Sequence, residues 1–262
     1  MFKIEETLEE IKVLSKKIGN FLSSNFKKNK KIIEKSDRNL VTSIDTQAEE
    51  MIISFIKKRF PGHGILSEET PPLKGGDFTW IIDPLDGTHN FIRGIEIFGT
   101  SIALAYRGEI VLGVIHLPLQ NQLYWALKDK GAYLNGVPIK VSGVKKLRQT
   151  SLSFDSSIRL KPRKMSQVLM RVAKECFNIR MLGSSVRVLS FIAQGALDAC
   201  IEFNDFAWDC AAGKIIIEEA GGKFTYLDGS CWKINKRGYV ASNGLVHSQL
   251  IKLINEKKSN LD

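Results

Sequence analysis

The chain has 262 residues, 44% of them apolar, and carries a formal charge of +10 from 38 Lys and Arg against 28 Asp and Glu. This is the make-up of a globular protein, one large domain or two fused ones, with ample core and no apolar run near the ~20 residues of a membrane span. The four cysteines (Cys176, Cys200, Cys210, Cys231) lack metal-binding spacing and the N-terminus lacks a leader pattern, so reduced thiols in a cytoplasmic protein are expected.

From Ile4 the apolar residues Ile4, Leu8, Ile11, Leu14, Ile18, Leu22 and Phe26 recur in steps of three and four, which predicts an amphipathic helix. A basic run, Lys27-Lys28-Asn29-Lys30-Lys31, reads as a solvated loop. Such a surface raises the local concentration of anionic ligands, and no RNA-binding aromatic motif accompanies it. Asp45 then precedes a second helical pattern (Ala48, Met51, Ile52, Phe55, Ile56), where it suits a helix cap. Phe60 to Gly64 is a turn, with His63 expected in solvent. Ile65 to Ser67 reads as a short strand ending at Glu68-Glu69, and 70–77, with two prolines and two glycines, reads as a surface loop.

The stretch Thr79 to Phe91 reads TWIIDPLDGTHNF. Trp80-Ile81-Ile82 predicts a buried strand, which Pro84 is expected to end. Asp83 and Asp86 follow at the strand end, and Gly87-Thr88 open a short helix. Asp, Pro and Gly also compose turns. Two acids beside amides at a helix start, however, suit phosphate and the hard cations that accompany it. Downstream, strands are expected in the second half of 92–106, at 111–117 and at 122–127, with an Asn-Gly hairpin after Leu134. After a soft boundary near 143–150, strand and helix alternate: strand 150–154, helix 163–175, strand 178–182, helix from Gly183-Ser184-Ser185, strand 199–203, helix from Trp208-Asp209, and strands 223–227 and 239–242. The Gly183-Ser184-Ser185 turn suits an anion, a sugar hydroxyl or plain packing with a serine cap.

WIIDPLDGTHNF resembles the first signature of the inositol monophosphatase family, metal-dependent and lithium-sensitive phosphatases. Trp208-Asp209-Cys210-Ala211-Ala212-Gly213 with Glu219-Ala220-Gly221-Gly222 resembles the second, and Leu66-Ser67-Glu68-Glu69-Thr70 the acidic segment upstream. The resemblance implies an α+β/α/β fold, a layered αβαβα sandwich of the inositol monophosphatase/fructose-1,6-bisphosphatase type, with residues 1–145 and 146–262 as its two halves. It also implies two Mg²⁺ ions and a weaker third. Glu68, Asp83 and the carbonyl of Leu85 would hold one ion, and Asp83, Asp86 and Asp209 another. Thr88 and Asp45 would orient the attacking water. Asp86, Gly87, Thr88, Gly183, Ser184, Ser185, Glu202 and Asp209 would contact substrate. Taken alone, Asp209 suits a helix cap and Glu202 a solvent charge. His89 stands where the family often has threonine, and solvent is its expected neighbour.

The implied reaction is hydrolysis of inositol monophosphate or a similar polyol phosphate by a homodimer. The segment 97–104 also resembles histidinol-phosphate phosphatases, and fructose-1,6-bisphosphatase activity is a further alternative. Bisphosphate nucleotidases rank lower, since they usually carry Lys-Glu where this chain has His89-Asn90. A separate class is an RNA or transcription-complex role beside catalysis, which the charge permits.

Overall fold

The structure is a computed structural model that describes residues 3–28 and 41–256 together with the backbone of 32–34 and 40. The expected basic run lies outside the described residues from Asn29 onward. Helix α1 (Ile4–Asn25) buries Leu8, Ile11, Leu14, Ile18 and Leu22, the expected stripe. A short antiparallel pair, β1 (Ile32–Glu34) and β2 (Leu40–Thr42), stands where only a loop was expected. Helix α2 (Ser43–Arg59) follows. Asp45 does not precede this helix but sits in its first turn, where it takes the Thr42 N–H while the Thr42 hydroxyl takes the Ile44 N–H. Reciprocal bonds of this kind satisfy amides that a helix start leaves open.

The first sheet has seven strands: β3 (Gly64–Ser67), β4 (Phe78–Asp86), β5 (Gly99–Tyr106), β6 (Glu109–Leu117), β7 (Gln122–Leu127), β8 (Ala132–Leu134) and β9 (Val137–Pro138), paired in that order. β3 and β4 are parallel and the remaining pairs antiparallel. The short helix α3 (Thr88–Arg93) lies between β4 and β5.

Pro84 does not end β4. The strand runs on to Asp86 through a bulge, with Asp83 opposite Ser101 and Asp86 opposite Gly99. Proline has no N–H for the ladder, and a bulge is where a strand tolerates that loss. The bulge also resets the side-chain alternation. In a regular strand residues three apart point to opposite faces, and one extra residue returns them to the same face.

His63 is not a solvent residue. It is half-buried, stacks on Phe60 and Phe78 with ring centroids 5.5 and 4.9 Å away, and its Nδ1 accepts the Trp80 Nε1–H at 3.1 Å. An indole N–H needs a partner when buried, and the turn supplies it.

The second sheet is built from β10 (Ser151–Phe154), β11 (Asn178–Arg180), β12 (Ala199–Glu202), β13 (Lys223–Thr225) and β14 (Tyr239–Ser242), in the order β11-β10-β12-β14-β13. β10 is parallel to both neighbours, and β14 is antiparallel to β12 and β13. Its helices are α4 (Pro162–Glu175), α5 (Ser185–Ala193), α6 (Ala207–Glu219) and α7 (His247–Asn255). Helix α7 stands where the sequence analysis places no element.

Three apolar clusters show the layers. α1 and α2 cover one face of the first sheet through Trp80, Ile82, Ile102 and Leu104. α5 and α6 fill the space between the sheets, meeting Ile81, Ala103 and Ile115 on one side and Cys200, Tyr239 and Ala241 on the other. α4 and α7 close the far face of the second sheet over Leu152, Ile201 and Val240. The result is an αβαβα sandwich in which β4 is buried on both faces, hence its continuous apolar run. A Cβ on Gly213 would stand 2.4 Å from Leu189, and one on Gly113 2.7 Å from the Ala212 carbonyl. Their absence lets α6 lie close to α5 and the first sheet, and so sets where its N-terminus falls.

Candidate active site

The ends of β3, β4 and β12 and the starts of α5 and α6 meet around one cleft of about 790 Å³. Glu68, Asp83, Leu85, Asp86, Gly87, Thr88, Gly183, Ser184, Ser185, Glu202 and Asp209 all line it. Of the residues singled out in the sequence, only Asp45 is not at the cleft surface. It lies behind Thr88, whose Oγ1 donates to Asp45 Oδ1 at 2.8 Å.

Carboxylate oxygens of Asp83, Asp86 and Asp209 come within 4.8 Å of one another. Asp83 and Asp86 reach this point from the bulged end of β4 and Asp209 from the first turn of α6. Asp209 also takes the Phe206 N–H at 2.6 Å, so it is a helix cap as well as a member of the cluster. Asp86 is braced by the Ser184 hydroxyl and by the Ser185 N–H at 2.9 Å. Leu85 N–H donates to Asp83 Oδ1 at 3.0 Å. Gly87 has φ 84°, and a Cβ there would meet the Ile97 carbonyl at 2.8 Å, so the turn from β4 into α3 requires glycine.

Burial pushes the Asp83 carboxyl well above its usual range, and the charges of Glu68, Asp86 and Asp209 push further. Asp209 rises for the same reasons, with burial first, then Asp205, Glu68 and Asp86. Asp86 is raised to about 6 by burial, against the opposing hydrogen bonds from Ser184 and Ser185. Burial also raises Asp45 despite its bonds from Thr42 and Thr88. Among the described residues no lysine or arginine is paired with Asp83, Asp86 or Asp209. Buried like charges without a counter-ion are costly. An oxygen-only donor set of this kind fits a hard divalent cation and not a soft one.

This has a consequence for stability. A carboxyl whose folded-state pKa is raised binds more protons folded than unfolded. The stability it adds is full below its ordinary pKa of 3.8 and is lost as pH rises through about 6 for Asp86 and about 7 for Asp205. The metal-free chain is therefore expected to lose several degrees of Tm between pH 5 and pH 8, and saturating Mg²⁺ to restore them at pH 8. Thermal unfolding with EDTA and with Mg²⁺ across that range checks it.

Asp205 is not among the residues that the motifs single out. Its Oδ2 takes the Ser185 hydroxyl at 2.6 Å and the Tyr239 hydroxyl at 2.9 Å, and burial raises it to about 7. Glu202 is buried beside it rather than in solvent, at 7% exposure, with its pKa raised by burial and then by Asp205. Arg159 and Arg237 also line the cleft, and Arg237 lies 3.5 Å over the Phe206 ring. His89 is exposed at the cleft mouth.

The model of the inositol monophosphatase family matches residues 3–259. The chain belongs to the inositol monophosphatase family. Phosphate-ester hydrolysis is the activity that goes with membership, and family members are generally metal-dependent. The chain is 35% identical over 244 residues to a fructose-1,6-bisphosphatase/inositol-1-monophosphatase of Thermotoga maritima, covering 93% of each chain. It is 34% identical over 239 residues to the Nus factor SuhB of Pasteurella multocida, covering 88% of this chain and 87% of that one. In three dimensions it matches the extragenic suppressor protein suhB of Bartonella henselae with a TM-score of 0.93 at 30% identity, over 97% of this chain and 100% of that one. No helix among the described residues is long and apolar enough to cross a membrane.

Proposed function

We propose that this protein is a Mg²⁺-dependent phosphomonoesterase that hydrolyses inositol monophosphate or a similar polyol phosphate by direct attack of water. The observation that carries the reading is the convergence of Asp83, Asp86 and Asp209 within 4.8 Å, beside the Thr88–Asp45 hydrogen bond. Asp83, Asp86 and Asp209 would hold the cations, with Glu68 and the Leu85 carbonyl completing the set. Bound Mg²⁺ supplies Lewis acidity at the phosphoryl group and acidifies water.

The chain's own residues do the rest. Thr88 Oγ1 passes its proton to Asp45 as it accepts one from water, and the burial that raises Asp45 suits a base. The amides of Gly87 and Thr88 receive the phosphate. Glu202 and the turn Gly183-Ser184-Ser185 face the hydroxyls of the alcohol. Within that turn the Ser184 hydroxyl donates to Asp86 and caps α5 by accepting the Arg187 N–H, while the Ser185 hydroxyl donates to Asp205 and keeps its lone pairs for substrate. The hydroxide so formed adds to phosphorus as the ester P–O bond breaks; the leaving alkoxide takes up a proton from solvent, Asp45 returns its proton to solvent, and the polyol and inorganic phosphate leave.

A panel of inositol, histidinol, fructose and nucleotide phosphates, assayed with and without Mg²⁺, tests this. Inositol monophosphate is expected to give the highest kcat/KM, with no turnover in EDTA. Turnover without a divalent ion, or a nucleotide preferred tenfold or more, would overturn it. A second reading, an RNA-binding role beside catalysis, is favoured by the net charge of +10 and by a relative named as a Nus factor. Salt-dependent RNA binding by the inactive Asp86→Asn protein would support it.

A further inference from the structure

Glu49 lies on α2, one turn after Asp45, and is only 2% exposed. Residues four apart on a helix share a face, so both acids point toward the cleft side of α2. Four donors converge on the Glu49 carboxylate. The Ser67 hydroxyl, the Glu69 N–H at 3.0 Å and the Thr70 N–H at 3.3 Å reach Oε1, and the Thr70 hydroxyl reaches Oε2. These donors flank Glu68 on both sides. The segment after β3 therefore has little freedom of its own where it carries an acid into the cleft.

We infer that Glu49 is a positioning residue for the cation site: it fixes the backbone on either side of Glu68 so that this carboxylate stands ready beside Asp83 and Asp209. The inference rests on the metal-dependent reading above. The clamp holds Glu68 next to like charges, since its charge acts on both Asp83 and Asp209. An unrestrained loop would relieve that repulsion by turning Glu68 outward. Each cation bound would then have to draw it back, at the cost of ordering the loop. With Asp45 holding Thr88 from the same helix face, α2 fixes two walls of the cleft against each other. Partners that orient ligands typically change metal affinity or activity by about 10–100-fold when removed.

The test is Mn²⁺ binding followed by electron paramagnetic resonance, together with the Mg²⁺ dependence of phosphate release. Glu49→Ala is expected to raise the Mn²⁺ dissociation constant and the Mg²⁺ needed for half-maximal rate by about tenfold or more, while kcat at saturating Mg²⁺ falls less. Glu49→Gln keeps an acceptor for Ser67, Glu69 and Thr70, and is expected to recover most of the affinity. Glu50→Ala, at an exposed position on the same helix, should match the parent protein. If Glu49→Ala lowers Tm but leaves Mn²⁺ affinity unchanged, Glu49 is merely structural and the inference fails. Should Glu49→Ala not fold, the paired change Ser67→Ala with Thr70→Val removes donors from the other side and must show the same shift. A parent protein that binds Mn²⁺ yet hydrolyses no phosphate ester would sink the enzymatic reading and leave the Glu49 inference decided by binding alone.

Discussion

Replacing Asp86 with Asn is expected to lower kcat by at least about 10³-fold while leaving the metal-free protein as stable as the parent at pH 8, or more so. Asp86 belongs to the group of three acids within 4.8 Å, so its loss would remove a ligand from the heart of the proposed cation site. Offsetting charge on a transferring phosphoryl group is where most of such a catalyst's effect arises. Stability moves the other way because the folded state holds this carboxylate at a cost, seen in its rise to about 6. An amide carries no charge to desolvate. It still accepts the Ser185 N–H through its oxygen and meets the Ser184 hydroxyl through its nitrogen. Phosphate release at saturating Mg²⁺ and Tm in EDTA are the two measurements. Full activity in Asp86→Asn would remove the cation assignment. A collapse of Tm in EDTA would mean that Asp86 holds the fold rather than the ion.

The two measurements together also separate ligation from folding for the whole cluster. Desolvation raises the buried Asp83 and the half-buried Asp209 alike, and both feel the charges of Glu68 and Asp86. A structural role would have favoured a lysine or arginine among them, or one apolar residue in place of each acid.

The elements that position this cluster were legible in the sequence to different depths. α1 was plain from its three-and-four spacing, and β4 from an apolar run that had to be buried on both faces. The cluster itself was only half legible. Asp83 and Asp86 are three apart, which in an ordinary strand would set them on opposite faces. Pro84 signalled an interruption, but sequence alone did not say whether the chain would turn away or bulge and continue. Asp209 lies far along the chain, and nothing in its local pattern distinguishes a cap from a ligand; it is both. Family resemblance, not spacing, joined it to the others.

Glu49 and Glu50 show the same limit from another side. Adjacent glutamates on a helix read as surface charge, yet one is buried with four donors and the other faces water. The rotation of α2 against the first sheet decides which is which. Asp205 was missed because its partners, Ser185 and Tyr239, come from distant strands and helices. The short helix α7 escaped because its nine residues make little more than two turns, too short a run for periodicity to decide. Its apolar residues become meaningful only against α4 and the second sheet.

Thr88→Val is expected to lower kcat by about 10²–10³-fold with Mn²⁺ affinity nearly unchanged, and Thr88→Ser to retain most of the rate. Valine keeps the branched shape and deletes the hydroxyl. Thr88 Oγ1 stands 2.8 Å from Asp45 Oδ1 and 3.0 Å from the Leu85 carbonyl. It can donate to only one at a time, and the ionised acid is the stronger acceptor. With its proton directed to Asp45, the hydroxyl oxygen presents its lone pairs to water. Asp45→Asn should cost a similar factor, because an amide can turn its nitrogen toward Thr88 and reverse the polarity of that bond. The Thr42 N–H, 2.9 Å from Asp45 Oδ2, still finds a side-chain oxygen at position 45 in either variant, so the cap is expected to survive. If the two residues form one relay, the double variant will be little slower than either single one, since a relay broken once is broken entirely. Additive losses in phosphate release would mean instead that Thr88 and Asp45 act separately, and the relay would have to be abandoned.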